Sequence, residues 1–172
     1  MNEQTKNQQT LLGALQNEAS RIEEDATYSS KGHFNAAATW ERRQYWIGIP
    51  ATILAVLTGA TLNNWPIVAV VISPVTACLT ALLTFLKPSK RADIHRAAAS
   101  DFLALRNNIR MFKEIELLLC SQSEELYKKL QAFSDKRNEL NKKSPAIPQK
   151  AFHAARKGIE EGEATHKIDK EQ

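Results

Sequence analysis

The chain has 172 residues, with 23 Lys and Arg against 19 Asp and Glu for a formal net charge of +4. Its mean hydropathy of −0.38 suits a soluble protein. Yet no charged residue lies between Arg43 and Lys87, whereas a soluble helical domain spreads its apolar residues along every helix. The mild positive charge argues against a nucleic-acid partner: residues 1–43 carry five basic and six acidic side chains and residues 87–172 carry eighteen and thirteen, interspersed rather than gathered into a basic stripe with aromatics. That pattern fits a solvated helix surface beside anionic lipid.

In chain order, residues 1–43 form a cytoplasmic approach to the membrane. Met1–Gln9 is polar and expected to fray. Leu11, Leu12, Leu15, Ala19, Ile22 and Ala26 recur at helical spacing and predict an amphipathic helix of about 18 residues. Ser29-Ser30-Lys31-Gly32 predicts its end. A second helical start, from His33 and Phe34 to Trp40, runs into the membrane. The first forty residues contain no apolar signal-peptide core, so the first apolar helix is expected to act as its own insertion signal.

Residues 44–86 form an uncharged block. At 1.5 Å per residue it makes roughly 65 Å of helix, about two crossings of a 30 Å hydrocarbon core. Asn63-Asn64-Trp65-Pro66 is its one turn signal, which places spans near 45–62 and 65–86. Arg42 and Arg43 precede the first span, Lys87, Lys90 and Arg91 follow the second, and the turn has no basic residue. The positive-inside rule then puts both termini in the cytoplasm of an inner-membrane, multi-pass protein. Trp40, Tyr45 and Trp46 fall at the inner interface and Trp65 at the outer one.

Two small-residue stripes mark the spans. Gly48, Thr52, Ala55 and Gly59 share one face of the first; Ala69, Ser73, Thr76, Thr80 and Thr84 share one face of the second. Such faces either pack helices closely or line a narrow polar path. Pro74 predicts a hinge in the second span, with Ser73 placed to satisfy the carbonyl it frees. Pro50 is expected in the opening turns of the first. Neither span holds an acid, a base or a histidine, against a proton-coupled transporter, and two helices alone enclose no water-filled path. Any pore requires a homo-oligomer.

Residues 87–144 read as one long cytoplasmic helix, coiled-coil-like, of about 80 Å if straight. Ala98, Leu105, Phe112, Leu119, Leu126, Phe133 and Leu140 repeat every seven residues and all are apolar, predicting a continuous edge. Leu105, Phe112, Leu119, Leu126 and Phe133 are the expected oligomerisation contacts; folding back into an antiparallel pair near Cys120–Ser123 is the alternative. Residues 145–172 give a Pro-marked stop, a short helix from about Gln149 to Glu161 and a loose polar tail.

The fold class is therefore an all-α membrane protein: a two-transmembrane hairpin, a long cytoplasmic helix and short flanking helices. No catalytic, cofactor-binding or metal site is read. His33, His95, His153 and His166 are scattered without metal-ligand spacing, and the six glycines are isolated, so no phosphate-binding loop forms. Cys78 lies in the apolar block and Cys120 in a polar helix, which speaks against a disulfide and for a reducing compartment. Asp93 and His95, at the inner end of the second span, are placed to pair with Arg91 or Arg96.

Three segments carry a resemblance: His33-Phe34 through Trp40 to Ile47-Gly48-Ile49-Pro50; Phe85-Leu86-Lys87-Pro88 with Ala92, His95, Ala97, Ala98, Phe102 and Leu105; and Ala146-Ile147-Pro148 with Ala155-Arg156, Ile159 and Gly162. Over residues 10–165 the chain resembles the SLATT family, the SMODS- and SLOG-associating two-transmembrane effectors of bacterial conflict systems. The resemblance implies a non-enzymatic effector that oligomerises into a membrane pore when a separate nucleotide-signalling or sensor protein is triggered. The other reading is a membrane-anchored scaffold without conductance, whose cytoplasmic helix recruits a partner.

Overall fold

The computed structural model describes residues 3–119 and 123–165. Among these, all regular structure is helical: α1 (Glu3–Thr61), α2 (Pro66–Leu86), α3 (Pro88–Met111), a π-helical turn (Phe112–Glu116), α4 (Leu117–Leu119), α5 (Ser123–Lys143) and α6 (Gln149–Glu160). They divide into two compact units, Met1–Asn35 with His95–Gln172, and Ala36–Ile94.

The first unit is a helical bundle. Leu15, Ala19, Ile22 and Ala26 of α1 pack with Phe102, Leu105 and Ile109 of α3, with Phe112, and with Leu126, Leu130 and Leu140 of α5 in one buried core. These are the apolar positions of the predicted amphipathic helix and of the heptad edge. The expected helix end at Ser29–Gly32 is not found, because α1 is continuous through it. The polar residues that resemble a break find partners elsewhere in this unit. The Ser30 hydroxyl donates to the Ala99 carbonyl at 2.9 Å and Lys31 pairs with Glu163. Gly32 admits Ile147: a Cβ there would lie 3.0 Å from Ile147 Cδ1. These contacts oppose the roughly 1 kcal/mol that a glycine costs a helix interior.

The single long helix expected over 87–144 is instead folded back. The Phe112 and Phe133 rings meet edge-on at 5.6 Å, where a straight helix would hold them about 30 Å apart. Lys129 of α5 pairs with Glu116 of the π-turn at 2.8 Å, and Lys113 reaches Glu23 of α1 at 2.8 Å across a half-buried interface. The cause is energetic. An amphipathic chain of this length buries its apolar stripe most readily on itself when α1 supplies a third face. The reversal itself, with Cys120, lies outside the described residues, as do His166 and the end of the polar tail. In α6, Ala151, Ala155 and Gly158 are buried and Pro148 occupies the N-cap.

The second unit joins the end of α1 to α2 and the start of α3. The turn lies where Asn63–Pro66 predicts: the Trp65 N–H donates to the Thr61 carbonyl at 2.8 Å, and Pro66 opens α2, where its missing donor costs nothing. Gly48 lies opposite Leu83, whose Cδ1 would stand 3.9 Å from an added Cβ. One stretch within Pro66–Leu119 is long and apolar enough to cross a membrane, with a best window of mean hydropathy 2.3 that is only 6% buried. Pro50 lies deep inside a helix of 59 residues, because α1 begins at Glu3, so it does not have the low cost of a helix opening. The α2–α3 junction is Lys87, at φ 45° and ψ 53°, whose N–H closes α2 on the Leu83 carbonyl at 3.1 Å.

Candidate functional site

The two small-residue stripes come together in part. Gly48, Thr52, Ala55 and Thr80 line one groove of about 660 Å³, together with Gln44 and Leu83. Gly59 opens on empty space; Ser73, Thr76 and Thr84 lie on α2 outside the groove lining, with Ser73 and Thr84 exposed. Every hydroxyl in the stripes bonds within its own helix. Thr52 donates to the Gly48 carbonyl at 2.9 Å, Thr76 to Ile72 at 3.2 Å, Thr80 to Thr76 at 2.9 Å and Thr84 to Thr80 at 2.9 Å. The donor is thereby satisfied without water and the oxygen lone pairs stay free to accept. That lowers the cost of holding these residues in lipid and leaves a row of acceptors along α2.

Pro74 sits inside an unbroken α2. Its ring removes the donor for the Val70 carbonyl, and Ser73 Oγ stands 3.5 Å from that same oxygen. The contact is long, and it is the compensation that the Ser73–Pro74 pair predicts.

The heptad edge is placed differently. Leu105, Phe112 and Leu126 are buried in the core of this chain, and Phe133 packs against it. Leu119 is 78% exposed and Leu118 83%. The π-turn explains this, since its extra residue rotates the downstream helix by about 100° and takes the seventh-residue position off the core face. The edge expected to hold copies together therefore closes the core of one chain, and Leu119 alone of the five is left facing out.

A polar layer in the first unit escaped the sequence. His33 on α1 and His95 on α3 are buried, with Nδ1 atoms 2.9 Å apart. His33 also stacks on Phe102 at 5.7 Å and 13°. At this distance one ring must donate to the other, so at least one is neutral. Burial pushes His33 down to about 4, and the charge of His95 adds to the effect. His95 thus faces His33. Arg91 donates from Nε to the Leu86 carbonyl at 3.0 Å and lies over the Trp40 ring at 4.9 Å, with Arg43 over the same ring at 4.5 Å. Among the described residues no group of three or more His, Cys, Asp or Glu side chains is placed to hold a metal ion.

No curated protein matches the chain. No solved structure matches it either. The family model of the SMODS and SLOG-associating 2TM effector domain, family 4, matches residues 15–171. That span takes in α1 from the first buried leucine, the apolar block, the folded-back bundle and α6. The chain belongs to the SLATT family of two-transmembrane effectors of conflict systems.

Proposed function

We propose that this protein is a non-enzymatic effector that assembles with copies of itself into a pore across the inner membrane, with both helices of residues 44–86 spanning the bilayer and both termini in the cytoplasm. The observation that carries this reading is the state of α2. It is almost wholly unburied in the single chain and apolar enough to cross a membrane. It also bears the row Ser73, Thr76, Thr80 and Thr84, with donors satisfied and acceptors free. A helix left bare of protein contacts on most of its surface is solvated by lipid or by other copies, and an acceptor row has value only on the side away from lipid. Gly48, Thr52 and Ala55 suit close packing between helices. Leu118 and Leu119, exposed beside the chain reversal, are the cytoplasmic contact between copies. A separate nucleotide-signalling or sensor protein, suited to a family named for its association with SMODS and SLOG, supplies the trigger in response to infection.

A scaffold that recruits a partner through the heptad edge is the weaker reading, because Leu105, Phe112 and Leu126 are already used in the core. The test is expression in bacterial cells with a voltage-sensitive dye. Expressed without its regulator at a level at which assembly no longer needs the trigger, the native chain is expected to depolarise the membrane, and Thr80→Leu with Thr84→Leu to abolish this at matched membrane levels. Unchanged potential on expression of the native chain refutes the pore.

A further inference from the structure

The groove along α1 and α2 does not end at the apolar residues. Gln44 and Leu83 line both it and a second cleft of about 380 Å³, whose other lining residues are Lys87, Pro88, Ser89, Lys90 and Asp93. The apolar part runs from Gln44 to Ala55, about 16 Å along the helix, which is half the thickness of a hydrocarbon core of about 30 Å. The polar part is cationic. Residues 41–44 and 87–93 hold Arg42, Arg43, Lys87, Lys90 and Arg91 against Glu41 and Asp93. Lys87 and Lys90 are exposed, while Arg43 and Arg91 are held on Trp40. The cleft also contains the one non-glycine residue with positive φ among those described, Lys87. Glycine or asparagine is the low-strain choice for that conformation, so a lysine there carries a backbone cost.

We propose that this continuous groove and cleft binds one anionic glycerophospholipid of the cytoplasmic leaflet. Its phosphate sits between Lys87 and Lys90, with the Ser89 hydroxyl and the Gln44 amide as further donors. One acyl chain lies along Tyr45, Ile49, Ile53 and Leu83, which line the same groove. The site rests on the two-span reading of the proposed function. A second copy seated in this cleft is the other conceivable occupant, but it would set its own Lys87 and Lys90 against these, and like charge opposes that fit; the proposed contact between copies is at Leu118 and Leu119 instead. The lipid satisfies both halves: anionic where the cleft is basic, apolar where the groove is.

The test uses the full chain, purified in mild detergent, and native mass spectrometry with added phosphatidylglycerol, phosphatidylcholine or inorganic phosphate. One phosphatidylglycerol per chain is expected to be retained in preference to phosphatidylcholine. At about fivefold per lysine near a charged surface, Lys87→Gln with Lys90→Gln is expected to weaken phosphatidylglycerol about 25-fold and leave phosphatidylcholine unchanged. Ala55→Phe, which fills the groove without touching the lysines, is expected to weaken both lipids. Circular dichroism checks that each variant keeps its helix content. Equal retention of the two lipids overturns the proposal. So does displacement of phosphatidylglycerol by millimolar phosphate, which would mark a free-anion site, or a lipid-free dimer in which Ala55→Phe breaks the dimer, which would mark a second copy as the occupant. Resistance of the chain to alkaline extraction from membranes is measured alongside. A chain that is extracted refutes the two-span reading, and a chain that resists but shows no lipid preference refutes this site alone.

Discussion

Acid should loosen the bundle through His33. The perturbation is a pH titration from 8 to 4 of the native chain and of His33→Asn, whose amide retains a hydrogen-bonding group near the place of Nδ1 but does not titrate. His33 lies at about 4 in the fold, pushed down first by burial and then by His95, against an ordinary histidine value near 6.5. The folded-state value is the lower one, so the unfolded chain binds the extra proton between the two values. The stability that a neutral His33 contributes is full above about 6.5 and is lost as pH falls toward 4. For one proton the slope is about 1.4 kcal/mol per pH unit, and the window sets an upper figure of about 3 kcal/mol. Thermal unfolding of the chain in detergent, followed by circular dichroism at 222 nm, reads the difference. The native chain should lose stability more steeply than His33→Asn between pH 6.5 and 4, with both flat between 7 and 8. Parallel curves would refute the buried pair as the origin of the acid sensitivity.

The remaining predictions concern packing. Leu126→Glu puts a charge into the core of the folded-back bundle and should unfold it rather than change oligomer size, read by helix content and protease resistance. Leu119→Glu sits on an exposed position and should leave the melting temperature within about 2 °C while reducing oligomer mass in detergent by light scattering; unchanged mass would remove Leu119 from the contact. Gly32→Val places branched carbons against Ile147 and should speed proteolysis near residues 144–148 through loosened docking of α6. Ser30→Ala leaves the buried Ala99 carbonyl without its hydroxyl donor and should cost about 1 kcal/mol in unfolding experiments.

The features legible in the sequence are those set by neighbours along the chain. The uncharged block, the turn at Asn63–Pro66, the stop at Ser144–Pro148 and α6 all depend on local chemistry, and the structure places each where the residues indicate. Contacts between distant residues are not legible. Ser30 and Gly32 carry the local signature of a helix end, but their roles are set by Ala99 and Ile147. His33 and His95 are 62 positions apart, and no spacing rule joins them. The heptad shows which residues are sticky without showing what they stick to: an edge that suits another copy equally suits the same chain once it reverses. Leu119 departs from the pattern because the π-turn at Phe112–Glu116 shifts the phase, and no residue in that turn announces it. The cost of Pro50 is not legible, for the same reason as the continuity at Ser29–Gly32, since it depends on where the helix begins.

The central claim is that α2, in an assembly of copies, lines a path for ions. Purified chain reconstituted into a planar lipid bilayer with anionic lipid reads this directly as current. Discrete conductance steps that disappear in Thr80→Leu with Thr84→Leu, while the variant still assembles to the same mass, are the predicted result. A silent bilayer with inserted, correctly assembled native protein would contradict the pore and leave the hairpin as an anchor.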